Sequence, residues 1–266
     1  MKKINYILRP SMKRFYLLPA ILLFICTTSG AQSKQRIDSL AIYILDRTSE
    51  TMRSLISCSY TAFITYDTWM DSVGYIKHTS KDKVYFSFPN KMKVNMQGDM
   101  GNRSMCYDGK KFSYYSFNQN RYAELDLSLD IVQTIDSMNR KYGIELPAAD
   151  FFYPSFTDDI LSAGGNLVYL GVTGVQNQLC YHIAGNDVNG TVFQFWITQD
   201  HLFFPVKMVL TYKEDNGQPQ YEAVYSDWEI NPSFPANMFD FVAPPAADKI
   251  RMSTELSGLS KEKNNK

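Results

Sequence analysis

Any chemistry in this chain would rest on few side chains. Its 266 residues include three histidines, His78, His182 and His201, and none has a second ligand, nucleophile or acid at a useful spacing. HExxH, GxSxG, GxGxxG and the phosphate-binding P-loop are absent. His182 alternates with Tyr181 in strand-like sequence and His201 sits in a turn before Leu202-Phe203-Phe204-Pro205, so both read as structural. Asp187-Val188-Asn189-Gly190 carries part of a calcium-loop pattern. Gly185 and Trp196 stand at its first and twelfth positions, where carboxylates are required, so calcium is excluded there. Among 27 acidic residues no pair is set apart by spacing. Asp158-Asp159 reads as first-turn helix charge, and Asp227 has no evident partner acid. Cys58, Cys106 and Cys180 form no CxxC pair, which removes zinc and dithiol chemistry, and as an odd number they allow at most one bridge. They read as small apolar residues in strands. The chain is therefore read as a non-enzyme with no cofactor and no metal.

What remains is apolar chemistry, and the elements that position it follow from period. Residues 35–55 place Ile37, Leu40, Ala41, Ile44, Leu45, Met52 and Leu55 three and four apart, which predicts an amphipathic helix. From Cys58 to Met70 the composition turns β-branched and aromatic, the start of a long run of strands. Asp108-Gly109, Asn189-Gly190 and Asn216-Gly217 each predict a two-residue hairpin turn. They pair 102–107 with 110–117, 179–188 with 191–199, and 206–214 with 218–230, as a mainly antiparallel meander. Val84, Phe86 and Phe88, then Met92, Val94 and Met96, alternate with polar neighbours, as do Phe193, Phe195 and Ile197 and Met208, Leu210 and Tyr212. One broad face of the sheet is apolar. Between Ser128 and Gly165 the period becomes helical through Leu129, Val132, Ile135, Met138 and Tyr142, with Ser128 as the expected start cap and Gly143 as the end. Further helical pieces follow Pro147 and span 155–163, stopped by Gly164-Gly165. This insertion carries Phe151, Phe152, Tyr153 and Phe156, which read as exposed.

The first residues set the compartment. Lys13 and Arg14 precede the apolar run Phe15 to Cys26, and small residues Ser29 and Ala31 stand before Gln32, so a signal peptide over 1–31 is expected. The run spans about 12 residues and is broken by Pro19, against about 20 for a bilayer span. The segment from Met12 is a complete leader by itself, which leaves both Met1 and Met12 as candidate initiators. Ile25 before Cys26 does not fit a lipoprotein cleavage site. Of 27 basic and 27 acidic residues, five basic ones lie in the leader, which leaves 22 against 27 and a net charge of −5. That body offers no basic surface for nucleic acid.

Phe88-Pro89-Asn90-Lys91-Met92-Lys93-Val94, then Tyr107-Asp108-Gly109-Lys110, Tyr114-Tyr115 and Tyr122, resembles the strand-turn-strand segment of the LolA-like lipoprotein-carrier superfamily. Ser59-Tyr60-Thr61-Ala62, Gly98-Asp99 with Gly101-Asn102-Arg103, Tyr142-Gly143-Ile144-Glu145-Leu146-Pro147 and Tyr225-Ser226-Asp227-Trp228 with Asn231-Pro232 are similar to a family of predicted periplasmic proteins within that superfamily. The likeness runs from about residue 37 to 250. It implies an α+β fold, a strongly curved antiparallel β half-barrel with an N-terminal helix and an inserted helical lid. It also implies a concave face that takes acyl chains of lipoproteins or other lipids. Where such carriers place an arginine before the proline, this chain has Phe88, so the resemblance implies apolar binding without that arginine latch.

The resulting expectation is one domain over 32–250, with the helical insertion at about 128–165 and a disordered tail over 251–266. The protein is exported to the periplasm or cell envelope and binds a hydrophobic ligand. Ala62, Ile64, Phe86, Phe88, Val94, Met96, Phe195, Met208 and Leu210 line the apolar cavity, and Phe151, Phe152 and Phe156 belong to the lid. Expected partners are a lipid or the acyl chain of a lipoprotein, and envelope proteins; nucleic acid is not one, and a monomer is expected. The rival readings are a non-catalytic structural or protein-interaction module with a filled core and, third, a hydrolase.

Overall fold

The computed structural model describes residues 35–252 apart from 147, 214 and 216. The expected signal peptide and the tail from residue 253 lie outside the described residues. Helix α1 (Ser39–Ser54) opens the described chain, its start capped by the Asp38 carboxylate, which accepts from the Leu40 N–H. Ala41, Ile44, Leu45, Thr48 and Met52 form its buried stripe.

Twelve strands form one open sheet. The first meander is β1 (Ser57–Met70), β2 (Gly74–Ser87), β3 (Lys91–Gly98), β4 (Arg103–Tyr107), β5 (Lys111–Ser116) and β6 (Arg121–Asp126). The second is β7 (Leu167–Val175), β8 (Gln178–Asn186), β9 (Thr191–Thr198), β10 (Pro205–Tyr212) and β11 (Gln220–Ile230), and a short β12 (Asp248–Lys249) follows. The order is β12-β6-β5-β4-β3-β2-β1-β11-β10-β9-β8-β7, antiparallel throughout except where β12 runs parallel to β6. The two meanders therefore meet through β1 and β11, with Ala62 opposite Tyr225 and Ile64 opposite Ala223. Register shifts at Ser59/Thr61, Tyr169/Gly171 and Pro205/Lys207 insert bulges, which bend the strands and curve the sheet.

The three expected hairpins are present, each displaced by one or two residues from the register of a two-residue turn at its dipeptide: Tyr107 stands opposite Phe112, Asn186 opposite Val192 and Thr211 opposite Gln220. Asp108 holds the first turn by accepting from the Lys110 and Lys111 N–H groups at 2.7 Å each, with Gly109 at φ 95°. The second connection is longer than a two-residue turn. Asp187 accepts there from the Asn189 and Thr191 N–H groups, a side chain doing the work assigned to the Asn-Gly pair. In the third, Asn216 lies outside the described residues and Gly217 has φ 85°.

The insertion contains α2 (Ile131–Tyr142), a 3-10 turn (Asp150–Phe152) and α3 (Phe156–Ser162). The cap of α2 is Asp130, not Ser128. Asp130 accepts from the Gln133 N–H at 2.7 Å and donates its own N–H to the Gln133 side chain, a reciprocal arrangement that Ser128, two residues too early, cannot make. Gly143 ends the helix at φ 63°, as its position required. Asp130→Ala should lower stability by about 1 kcal/mol in urea unfolding, with no change in the slope against denaturant.

The C-terminal segment packs back on the sheet. Phe234 packs on Tyr85, and Phe241 packs on Tyr115 and Tyr122, which covers the outer side of the first meander. Met252 is 8% exposed and belongs to the core, so order runs past residue 250 because an apolar side chain still has a place to bury.

Candidate functional site

Strand alternation turns one face of both meanders toward α1 and the insertion. Ala62, Ile64, Phe86, Val94, Met96, Phe195 and Met208 are buried there, and Phe88 and Leu210 are half-buried against the same core. The rows are continuous: Phe86 stands between Cys58 and Met92, and Met208 between Ala223 and Phe195.

The aromatics expected to be exposed on the insertion are buried. Phe151, Phe152 and Phe156 are 1%, 6% and 8% exposed. Because the 3-10 turn sends consecutive side chains in different directions, Phe151 and Phe152 reach different halves of the sheet. Phe152 lies 4.9 Å from the Phe86 ring and stacks on Tyr60 at 5.8 Å, while Phe151 meets Phe195 at 5.5 Å and Tyr225 at 5.8 Å. Phe156 adds a second contact to Phe195 at 5.5 Å. Tyr153 is half-buried and donates to Asp136 at 2.9 Å. The concave face is thus occupied by side chains from a segment that starts and ends outside the sheet. Its polar ties include Tyr107 with the Leu129 backbone, Tyr60 donating to the Ala148 carbonyl, and Ser49 with Thr157.

Beside this apolar floor lies a polar end that the sequence reading missed. Asp82 is buried on the same face, and neither of its carboxylate oxygens receives a well-formed hydrogen bond. Burial pushes its carboxyl up to about 6, partly offset by the Ser80 hydroxyl and the Arg103 guanidinium. Arg103 Nε and the hydroxyls of Tyr212, Tyr221 and Tyr225 are also buried without a well-formed hydrogen bond among the described residues. Glu145 reaches water yet is surrounded by protein on most sides; this desolvation raises its pKa, and Asp150 raises it further. Asp150, half-buried, is raised by the same cause. Parity was the available signal: Asp82 shares a face with Val84 and Phe86, two and four residues on.

The other titratable groups are accounted for. Cys58, Cys106 and Cys180 are free and buried, and desolvation pushes the Cys58 thiol up to about 12 and the Cys180 thiol to about 11, far from a thiolate nucleophile. His78 lies between Asp99 and Thr68, at 2.9 Å from each. His182 stacks on Trp196 at 4.3 Å and bonds Gln194. Among the described residues no three metal-binding side chains converge, and no helix is long and apolar enough to cross a membrane. Two surface hollows lie elsewhere. One of about 490 Å³ is lined by Val168, Leu170, Ala184 and Val192, and one of about 370 Å³ by Asn90, Asp108 and Asp240.

The sequence profile of the family described as predicted periplasmic protein, DUF2092, matches residues 41–253, which takes in most of α1, both meanders and the insertion. The chain belongs to the DUF2092 family. No curated protein matches it in sequence at a significant level. Among solved structures, an uncharacterized conserved protein from Thermus thermophilus is similar at 11% identity, with 80% of this chain and 99% of that one covered and a TM-score of 0.46. The Mycobacterium tuberculosis lipoprotein LppX is similar at 14% identity, with coverage of 75% and 99% and a TM-score of 0.46. A LolA superfamily protein from Nitrosomonas europaea follows at 11%, with coverage of 76% and 97% and a TM-score of 0.36. As a DUF2092 member the chain is assigned to the periplasm. In it the family's sequence folds as an open, mainly antiparallel sheet with three α-helices among the described residues.

Proposed function

We propose that this protein binds an acyl or lipid-like ligand on the concave face of its sheet, with the insertion as a displaceable cover. One observation carries the reading. The apolar floor spans both meanders, and three phenylalanines from a single insertion pack against its two halves. Gly143 at one end and Gly164-Gly165 at the other, all at positive φ, let the backbone turn at low steric cost. Magnitudes set the ligand's size. Three buried phenylalanines represent up to roughly 9 kcal/mol of transfer free energy, and a methylene about 0.8 kcal/mol, so a chain of roughly ten or more methylenes is needed to replace them. Short acids do not suffice.

The test is native mass spectrometry of protein isolated from the envelope without detergent, joined to hydrogen exchange. Adduct masses that disappear on solvent extraction are expected. Amides of residues 131–162 should exchange faster than those of 191–198 and slow down on adding lipid. The close burial of Phe151, Phe152 and Phe156 favours the second reading, a filled-core module that docks envelope proteins. No adduct, together with equal protection in both segments, would establish that second reading instead.

A further inference from the structure

We propose that the polar end of the concave face, built around Asp82 and Arg103, seats the head group of an amphiphile whose head donates hydrogen bonds and carries no negative charge. This rests on the concave-face binding proposed above and names the ligand class. Asp82 pairs across β2 with Met96, and Met96 pairs with Arg103, so the two charged residues lie in one row about 10 Å apart on either side of β3. Across β1 the row continues through Ala62 to Tyr225. Tyr221 and Tyr212 lie further along the second meander on the same face. The two Asp82 oxygens, Arg103 Nε and three tyrosine hydroxyls are all buried without a well-formed hydrogen bond, Asp82 having the Ser80 hydroxyl and Tyr221 the Ala148 backbone near it. A buried polar atom left without a partner costs about 1–3 kcal/mol, and most folds keep few of them, scattered. Here they gather on one face, next to the row of Val84 and Phe86 where an alkyl chain would lie.

The chemistry of the cluster selects the head. Asp82 requires donors, Arg103 Nε requires an acceptor, and the tyrosine hydroxyls serve as either. Glu145 and Asp150 add two more carboxyl groups from the insertion, so Arg103 is outnumbered by acids. A carboxylate or phosphate head would meet Asp82 without a proton to share. A neutral polyhydroxyl or amide head satisfies both kinds of group, whereas an ammonium donates to Asp82 and the tyrosine hydroxyls and leaves Arg103 Nε to them.

Three dodecyl ligands distinguish the cases below their micellar concentrations: dodecylamine, dodecanoylglycerol and dodecanoate, titrated at pH 7.5 against the fluorescence of the intact protein. Trp228 reports, since it packs on Tyr60 and Tyr225 at the edge of the floor. The amine and the glyceride are expected to bind at least about tenfold more tightly than the carboxylate, and Asp82→Asn to remove most of the preference for the amine. Equal affinities, or tightest binding of dodecanoate, would overturn the assignment of the head group while leaving concave-face binding intact. Failure of all three to bind would remove both. The comparison on the unsubstituted protein decides the matter even where Asp82→Asn does not fold.

Discussion

Alanine at Phe86 is expected to lower the free energy of unfolding by about 4 kcal/mol, and alanine at Phe152 by distinctly less. Phe86 is fully buried in β2 among Tyr60, Phe88 and Phe152. Truncating such a ring costs about 3–5 kcal/mol in lost transfer free energy and residual cavity. Phe152 is comparably packed, against Tyr60, Phe86, Phe88 and Trp228, so contacts alone would assign it a similar loss. The difference comes from what else the chain can do. In the displaceable cover proposed above, the insertion swings away with both meanders intact, and Phe152 leaves its contacts before the sheet unfolds. Its substitution then cannot lower global stability by more than the free energy of that opening. Phe86 belongs to the sheet and has no such ceiling. Paired urea titrations measure both losses; matching values near 4 kcal/mol would mean a fixed plug and would defeat the displaceable cover.

Acid should stabilise this fold over a window where most proteins begin to weaken. The Asp82 carboxyl is raised from 3.8 to about 6 by burial. Between those values the folded chain keeps a proton that the unfolded chain has lost, so stability falls as pH rises from about 4 to about 6 and levels off above. The loss from this single group is about 3 kcal/mol. Glu145 and Asp150, also raised, act in the same direction. Asp99, lowered by bonds from Thr79 and His78 that outweigh its desolvation, opposes them at the acid end. Asp82→Asn should flatten most of the slope and raise stability at pH 7. Urea titrations at four pH values between 4 and 7 check this. A protein no more stable at pH 5 than at pH 7, with Asp82→Asn unchanged from it, would show that the buried carboxylate carries no such penalty.

Local pattern and long-range placement were not equally readable in the sequence. Period-2 alternation placed Val94, Met96, Phe195 and Met208 on one face correctly, because a side chain's face depends only on its parity in the strand. The Asp108-Gly109 turn was readable for the same local reason. The junction of β1 with β11 was not, since nothing near Ala62 records that Tyr225 will stand opposite it. Phe151 and Phe152 have no period in a single 3-10 turn, so their burial depended on a floor already formed elsewhere. Parity alone places Asp82 on that face, but the apolar alternation that marks the face begins two residues later, at Val84. Phe234, Phe241 and Met252 lie in irregular chain, where no period separates a buried ring from an exposed one.

The meeting of β1 with β11 also governs the order of assembly. Ser59 and Glu229 are 170 residues apart and joined by a hydrogen bond, so the central seam closes only after the whole domain has been made and delivered. Each meander can form from neighbouring hairpins, whereas the seam requires closure of a very long loop, a slow step in any chain rich in distant contacts. Until it closes, β1 offers a fourteen-residue edge of free N–H and C=O groups, the kind that recruits strands from other molecules. Phe152 can already dock on β1 and β2, but Phe151 must wait for Phe195 and Tyr225. A chain caught midway therefore presents half a greasy floor and an unmatched strand to its surroundings, and the period of greatest aggregation risk is the interval before the last long strand arrives.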